Sequence, residues 1–576
     1  MNLEKAQAPS YLKDLLILTG LYLIYFLFFL GSRHLSIPDE GRYPEIAREM
    51  LISGNWITPT INGVPFLDKP ILYYWLEATS MHFFGVNNWA IRLPQAIFGI
   101  IGSLSIYAFG RYFFSRFAGL LASFILSVSI LYFFAAHYAN MDLIVANLLW
   151  ISFFLFLVSF KESSPSKKKR FFMYGAYIIA ALAFLTKGLM GIVFPAMVIF
   201  IWMLISNNFK RIKELYLPTG VILFLIIAAP WFILVQQQNP DFLYFFFYYQ
   251  QFHRFVGEGF NNQLGPWFYF VIVFAAFLPF SILLLHRLLP GLRNLWINRK
   301  SDSITTLIML WVVLIFIFFS IPSSKIVGYI LPIIAPLALL MALSFEKLLK
   351  DVQVRRSFKV MHVFVSVIFA ILTIGLLIYP FMQKKFDASL LIPSFYITAI
   401  ATLSVTLSLI LCFKNKLKKA LILIIASMFL FNLAVLTVVP VFDQKTSKPL
   451  VEKILKDTPK DTVFISYNDY WEDLPVLLNQ NIYLVYNWKT NTFKSDNWAR
   501  EFHFGIGQYQ KTHNGKWPKY LITLGDFKAL IDSKKPVIIF MDQGKLNKIK
   551  NQFPNDKFII KARYRDAIAV ERIASN

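Results

Sequence analysis

Long apolar runs separated by short polar breaks fill the first three quarters of the chain. A membrane span takes roughly 20 mostly apolar residues, and by this measure thirteen runs qualify. They lie at about 12–31, 89–110, 117–136, 142–160, 172–186, 188–206, 216–236, 267–287, 303–321, 326–345, 359–380, 391–412 and 420–440. The pattern predicts an all-α polytopic membrane domain over residues 1–440, with about 13 transmembrane helices.

The pattern changes after about residue 441. Short runs rich in β-branched and aromatic residues, at about 462–467, 482–486, 520–524, 536–541 and 558–560, alternate with polar helical stretches at about 446–457 and 543–550. Such alternation is typical of a small α/β domain. The sequence therefore predicts a second, soluble domain over residues 441–576.

Clusters of lysine and arginine set the orientation of the predicted spans. They fall in alternate loops, at 167–170, 210–213, 287–300, 347–359 and 414–419. Because positive residues mark the cytoplasmic side, the N-terminus is predicted to be cytoplasmic and the α/β domain extracytoplasmic. The first apolar run is too long for a cleavable signal peptide, and no small-residue cleavage site follows it directly. Most polar residues of interest then collect outside, above all in a loop at about 32–88.

Composition agrees with a membrane protein. Of the 576 residues 57% are hydrophobic and only 15% charged, which excludes an ordinary soluble enzyme and a disordered chain. The net charge of +25 fits basic cytoplasmic loops next to anionic lipid head groups, so no nucleic-acid partner is expected. The single cysteine, Cys412, excludes a disulfide within the chain.

The outer loop contains a predicted interfacial helix. Five residues at helical spacing form one apolar face: Tyr43, Ile46, Ala47, Met50 and Leu51. The helix is expected to begin near Arg42 or Tyr43, with Pro44 in its first turn. Asp39 and Glu40 would then lie just ahead of it, near the membrane boundary. Asp39 there is either a base facing the head groups or a helix cap.

Several cations and acids share this outer face, and each has two interpretations. Lys69, between Asp68 and Pro70, is either a phosphate ligand or an interfacial lysine. Asp142, at the start of a span, either has a functional partner or is a charge favoured by the helix dipole. Lys187, in a tight turn between two spans, is either a ligand or a snorkelling lysine.

Two further outer segments carry candidates. In the loop at about 237–266, Arg254 could hold phosphate, and His253 could be a metal ligand or proton carrier, although a lone histidine is more often neither. Lys325 lies at the outer mouth of the tenth predicted span. The sequence contains no zinc signature, nucleophile elbow or Walker loop. Outward-facing Lys, Arg and Asp residues beside lipid suit a phosphate-bearing lipid substrate.

Five segments, in this order, resemble the lipid A aminoarabinose transferases and, more broadly, the protein O-mannosyltransferase superfamily of membrane glycosyltransferases. These segments are Pro38 to Tyr43, Asp68 to Pro70, Met141-Asp142, Leu185 to Gly188 and Lys325 to Ala335. The resemblance covers the whole membrane region. It implies a GT-C fold and an inverting transfer of a sugar from undecaprenyl phosphate to lipid A, at a phosphate.

The resemblance also implies residue roles. Asp39, Asp142 and Glu40 would be the catalytic acids. The donor phosphate or its sugar would be bound by Arg42, Tyr43, Lys69, Lys187, Arg254, Lys325 and Tyr329. No cofactor is required.

Two positions depart from the family pattern and leave the metal and the sugar open. Asp68 stands where the family often has Glu, and Gln250-Gln251 stands where the family has a Glu-His pair associated with a metal. A divalent metal stays an alternative, with Asp68 and His253 as weak candidates. The sugar could be aminoarabinose or a hexosamine such as galactosamine.

The expected protein is thus a glycosyltransferase of the bacterial inner membrane whose active site faces the periplasm. Its partners would be an undecaprenyl-phosphate-linked sugar, lipid A and the membrane. Protein O-glycosylation is the alternative within the enzyme class. A flippase for a lipid-linked sugar is the alternative from another class, although transporters usually show repeat symmetry and broken helices near the midplane.

Overall fold

A computed structural model describes most of the chain. The described residues are 3–162, 166–253, 262–281, 291–293, 296–297, 303–348, 352–382, 391–443, 445–459, 461–488, 499–532 and 535–573. Contacts within the chain divide it into two compact units. The first unit comprises Met1–Arg33, Arg92–Pro230 and Asn262–Asp443, and the second comprises His34–Ile91, Trp231–Asn261 and Gln444–Asn576.

Helices dominate the first unit. Its α-helices, two of which extend across the unit boundary, are Leu3–Leu27, Asn88–Phe113, Arg116–Val128, Ile130–Ala136, Asp142–Lys161, Lys167–Lys187, Met190–Ser206, Leu217–Gln238, Phe268–Ala276, Ser303–Ser320, Ile334–Leu348, Val352–Met382, Ile392–Phe413 and Leu417–Phe442. The described part of this unit also contains two 3-10 helices, Phe209–Leu215 and Val327–Ile333, and the short antiparallel pair β3 (Asn262–Gln263) and β4 (Ser324–Lys325).

The multi-pass membrane architecture is confirmed. Within the described residues, nine helices are long and apolar enough to cross a membrane. The predicted span at 117–136 is a pair of helices bent by 67° at Ser129, which makes up to ten. Two further predicted spans are apolar helices that are shorter, Met190–Ser206 and Ile304–Ser320. The predicted span at 267–287 runs beyond the described residues after residue 281.

The second unit joins the outer loop to the C-terminal α/β region. The loop contributes helices Asp39–Ser53 and Leu72–Phe84 and the hairpin of β1 (Thr60–Ile61) and β2 (Val64–Pro65). A π-helical segment, Tyr244–His253, belongs to the same unit. The C-terminal region contributes α-helices Lys448–Ile454, Leu474–Leu478, Ala499–Thr512, Leu524–Asp532 and Leu546–Gln552, and short 3-10 turns at Leu455–Asp457 and Gln543–Lys545.

A six-stranded sheet forms the centre of the C-terminal region. Its strands are β5 (Val463–Tyr467), β6 (Tyr483–Val485), β7 (Leu521–Ile522), β8 (Val537–Asp542), β9 (Lys557–Tyr564) and β10 (Ala567–Ile573), in the order β7-β6-β5-β8-β10-β9. The first four in that order are parallel, and β10 is antiparallel to both neighbours. The predicted α/β character is therefore confirmed, while the boundary at residue 440 stays a prediction.

Helix Asp39–Ser53 packs against the C-terminal region through buried contacts. A Cβ atom on Gly41 would lie 2.8 Å from Glu472 Cβ and closer still to the backbone, so only glycine permits this packing. The next residue, Asp473, is buried and accepts hydrogen bonds from Thr446 Oγ1 (2.7 Å), Ser447 N (2.8 Å) and Ser447 Oγ (2.7 Å). Burial raises the pKa of Asp473, and these hydrogen bonds oppose the shift.

Candidate active site

Asp39 and Arg42 form an ion pair in the first turn of helix Asp39–Ser53. Arg42 Nη2 donates to Asp39 Oδ1 at 2.7 Å, and the Arg42 and Asp39 side chains are 13% and 25% exposed. The helix begins three or four residues earlier than predicted, because the amides of Gly41 and Arg42 already bond back to the Pro38 carbonyl. Asp39 and Glu40 therefore lie inside the first turn rather than ahead of it, at the positive end of the helix dipole.

Two aromatic rings lie next to the Arg42 guanidinium. Its Cζ lies 5.1 Å from the centre of the Tyr43 ring and 5.8 Å from that of Phe66. The Tyr43 ring in turn lies 5.7 Å from Tyr73 and 6.1 Å from Tyr74. These contacts fix the guanidinium in a partly desolvated place, where it attracts an anion more strongly than it would in water.

Glu40 has a different environment from Asp39. Its side chain is fully buried, and Oε2 accepts a hydrogen bond from the Ser36 amide at 3.0 Å. The carboxylate thus joins the helix to the chain segment before it. Its predicted catalytic role stays a prediction.

Asp68 and Lys69 follow strand β2 and are half-buried. The nearby Tyr74 is fully buried, and burial raises the pKa of its hydroxyl. The positive charge of Arg42 opposes this shift, and the negative charge of Asp68 adds to it. Asp68 and Arg42 therefore both lie near this hydroxyl. The roles of Lys69 in donor binding and of Asp68 at a metal stay predictions.

A second acid–cation pair lies in the first unit. Lys187, at the end of helix Lys167–Lys187, forms an ion pair with Asp142 Oδ1, and both side chains are about nine-tenths buried. The Lys187 ammonium also lies 4.6 Å from the centre of the Tyr329 ring. Gly328 makes room for the acid, since a Cβ atom there would lie 2.8 Å from Asp142 Cγ and nearer to Oδ2. The structure thus brings together three residues whose positions are far apart in the sequence.

Lys325 is placed differently from the other predicted cations. Its side chain is 1% exposed, and Nζ donates to the carbonyls of Phe319 (2.9 Å), Ser320 (2.8 Å) and Pro322. Burial lowers the pKa of this ammonium. The carbonyl oxygens hold Lys325 as the centre of the turn before Val327–Ile333, so its predicted contact with the donor would have to compete with them.

The remaining predicted residues lie at the edge of the described chain. Arg254 is outside the described residues, and the same holds for the side chain of His253. Among the side chains that are described, no group of three His, Cys, Asp or Glu residues is arranged to hold a metal ion. The metal therefore stays an open alternative.

The comparisons with known proteins agree with this geometry. Residues 68–234 match the family described as dolichyl-phosphate-mannose-protein mannosyltransferase. An undecaprenyl phosphate-α-4-amino-4-deoxy-L-arabinose arabinosyl transferase from Aeromonas hydrophila is 32% identical over 58% of this chain and 61% of its own length. One from Proteus mirabilis is 31% identical over 63% of this chain and 66% of its own length.

A solved structure extends the likeness to the whole fold. ArnT from Cupriavidus metallidurans, bound to undecaprenyl phosphate, superposes with a TM-score of 0.79 at 23% identity, over 97% of this chain and 98% of that one. The chain is similar to these arabinosyl transferases in sequence, and it shares the fold of the solved structure. The predicted resemblance and the GT-C fold are thereby confirmed. The aligned part spans about three fifths of the first curated relatives, at 61%, 58% and 58% of their lengths.

Sequence reasoning missed a buried arginine cluster in the first unit. Arg33 Nη2 donates to the His137 carbonyl at 2.8 Å, and the fully buried Arg92 donates to the carbonyls of Leu30 (3.1 Å) and Arg33 (3.0 Å). A signal was available, because an arginine within an apolar span is costly without partners. The cluster secures the end of the first span against the turn at His137, which precedes Asp142 in the chain.

Proposed function

We propose that the protein is an inverting glycosyltransferase that moves an amino sugar from undecaprenyl phosphate to lipid A. The sugar is aminoarabinose or a hexosamine such as galactosamine. The enzyme works in the bacterial inner membrane, with its reacting groups on the periplasmic face. Two curated relatives named as arabinosyl transferases support the donor class.

One observation carries the proposal. Two of the three acids expected to be catalytic are each paired with a cation expected to hold the donor: Asp39 with Arg42, and Asp142 with Lys187. Glycosyl transfer from a lipid phosphate needs both charges, since the leaving phosphate gains negative charge while the anomeric carbon becomes electron-poor. Partly buried cation–carboxylate pairs supply fixed charges of both signs with little reorganisation of water.

The proposed step balances as a single displacement. An oxygen of the lipid A phosphate forms a bond to the anomeric carbon, and the bond from that carbon to the undecaprenyl phosphate oxygen breaks. The electron pair leaves with the undecaprenyl phosphate, where Arg42 and Lys69 would stabilise it. The acceptor phosphate is already ionised, so no base is obligatory, and Asp39 would orient the sugar or share a proton.

Replacement of Asp39 by asparagine tests the catalytic assignment. With purified protein, donor and lipid A, Asp39→Asn should reduce transfer by about 10²-fold, because the sugar loses its orientation, while undecaprenyl phosphate binding persists. Asp566→Asn, an exposed acid in the turn between β9 and β10, is the matched control and should leave transfer unchanged. Transfer that survives Asp39→Asn would refute the assignment. A protein that only moves the lipid-linked sugar would show no transfer in any variant.

Mass spectrometry of lipid A from cells with and without the gene tests the acceptor. A mass difference of one sugar is expected, and its size separates an aminopentose from a hexosamine. Identical spectra under expression would favour a protein acceptor instead, which the family match over residues 68–234 supports as the second candidate. The amine of the added sugar offsets negative charge on lipid A, so we also expect lower sensitivity to cationic peptides.

A further inference from the structure

Helix Ala499–Thr512 of the C-terminal region packs against two segments that precede, in the sequence, residues predicted to bind the donor, Lys69 and Arg254. Both segments belong, like the helix, to the second unit. One is the hairpin strand β2, which precedes Lys69. The other is the segment from Asp241 that continues into Tyr244–His253. The helix is absent from the elements that hydropathy and strand patterns predicted.

The contact with β2 is a close one between backbones. A Cβ atom on Gly505 would lie 2.7 Å from Val64 Cγ1 and even closer to the Pro65 carbonyl oxygen. Gly505 is buried, and no side chain larger than its hydrogen fits without moving the strand. Glycine therefore permits a helix-to-strand approach that a Cβ atom would prevent.

Strand β2 is directly connected to the residues expected to bind phosphate. Phe66, the residue after Pro65, is 2% exposed, and its ring centre lies 5.8 Å from Arg42 Cζ. Lys69 follows three residues later. A displacement of Pro65 would thus move Phe66, and with it Arg42, which contacts the Phe66 ring, and Lys69, which follows it in the chain.

The contact with the second segment uses polar and aromatic groups. Gln508 Nε2 donates to Asp241 Oδ2 at 2.7 Å, and Lys511 forms an ion pair with the same oxygen. This pair holds the pKa of Asp241 below its usual range. The Phe245 and Phe504 rings stack with centres 3.7 Å apart and planes inclined by 7°.

We propose that helix Ala499–Thr512 is a clamp that positions the donor-binding loops, with Gly505 and Phe504 as its positioning residues. The proposal rests on the proposed transfer from a lipid-linked donor. The helix acts through the two segments rather than on the substrate, since it sets where Arg42, Lys69 and the segment from Asp241 stand. The C-terminal region then contributes to donor affinity, beyond its own stability.

A matched pair of glycine substitutions in the full-length protein tests the clamp. Gly505→Ala should displace β2, whereas Gly507→Ala, on the same helix, meets no atom within 4 Å and adds the same helix propensity. For Gly505→Ala we expect kcat/KM for the lipid-linked donor to fall about 10–100-fold and undecaprenyl phosphate binding to weaken. Gly507→Ala should match the wild-type protein in both.

Hydrogen exchange separates positioning from stability and does not depend on transfer. In Gly505→Ala, backbone amides in peptides covering 60–70 should exchange faster, while those of β5 and β8 stay protected. A lower melting temperature with unchanged exchange at 60–70, unchanged undecaprenyl phosphate affinity and unchanged kcat/KM would overturn the clamp. If the wild-type protein transfers no sugar, the proposed function fails, yet exchange and undecaprenyl phosphate binding still decide on the clamp.

A second variant guards against misfolding of Gly505→Ala. Phe504→Ala removes a stacked ring at a half-buried position and should increase exchange at 241–249, with weaker undecaprenyl phosphate binding. Phe504→Tyr keeps the ring and should restore both. If Phe504→Ala leaves exchange and binding at wild-type values, the clamp proposal is wrong.

Discussion

Replacement of Arg48 by methionine should strongly destabilise the second unit. Arg48 and Glu45 are 1% and 0% exposed, and two hydrogen bonds of 2.6 Å join them. Arg48 Nη2 also donates to Asn481 Oδ1 at 2.8 Å, which ties helix Asp39–Ser53 to the C-terminal region. The substitution removes both links and leaves a buried carboxylate without its cation.

The expected magnitude follows from burial. Removing one partner of a buried ion pair costs about 3–5 kcal/mol, because the other charge stays desolvated. For a cooperative unit of about 150–250 residues this corresponds to a fall in melting temperature of about 6–20 °C. Thermal unfolding of the full-length protein in detergent, followed by tryptophan fluorescence, measures it. Arg563→Met, at an exposed position of β9, should change the melting temperature by less than about 2 °C.

The loss of stability caused by Arg48→Met should also depend on pH. Burial raises the pKa of Glu45, and Arg48 opposes this shift, so the pKa rises further in Arg48→Met. An acid whose folded-state pKa is raised binds its proton more tightly in the folded state, so stability falls as pH rises above the unfolded-state value. The variant should therefore lose less stability, relative to the wild-type protein, at pH 5 than at pH 8. A fall of less than about 2 °C, or one independent of pH, would refute the reasoning.

Three further predictions concern other buried groups. Gly328→Ala should push the Asp142 carboxylate aside and lower kcat/KM about 10–100-fold in a transfer assay, whereas Gly375→Ala, with no atom within 4 Å, should not. Asp473→Ala should lower the melting temperature, because the loss of its three hydrogen bonds leaves buried donors unpaired at about 1–3 kcal/mol each. Lys325→Met should lower the melting temperature and leave undecaprenyl phosphate affinity within about threefold, since its ammonium serves three carbonyls. Weaker affinity without a lower melting temperature would instead favour a donor contact for Lys325.

Local sequence patterns predicted many of the strands and helices, but they did not predict all of them or their boundaries. All five predicted strands are present, yet β10 was missed, and so was helix Ala499–Thr512, whose two glycines lower its helix propensity. The helix at Asp39 began earlier than expected because backbone bonds to Pro38 extend it.

The sequence by itself predicted the apolar segments, the charge asymmetry between loops and the resemblance to the aminoarabinose transferases. Hydrophobicity and charge act on each segment through the bilayer and through water, so they can be read one segment at a time. Only the tertiary structure decided that Asp142 meets Lys187 and Tyr329, that Lys325 is enclosed by carbonyls, and that Gly505 lies against Pro65. Such pairings depend on the packing of residues far apart in the chain, where shape and hydrogen-bond geometry select the partner and composition does not.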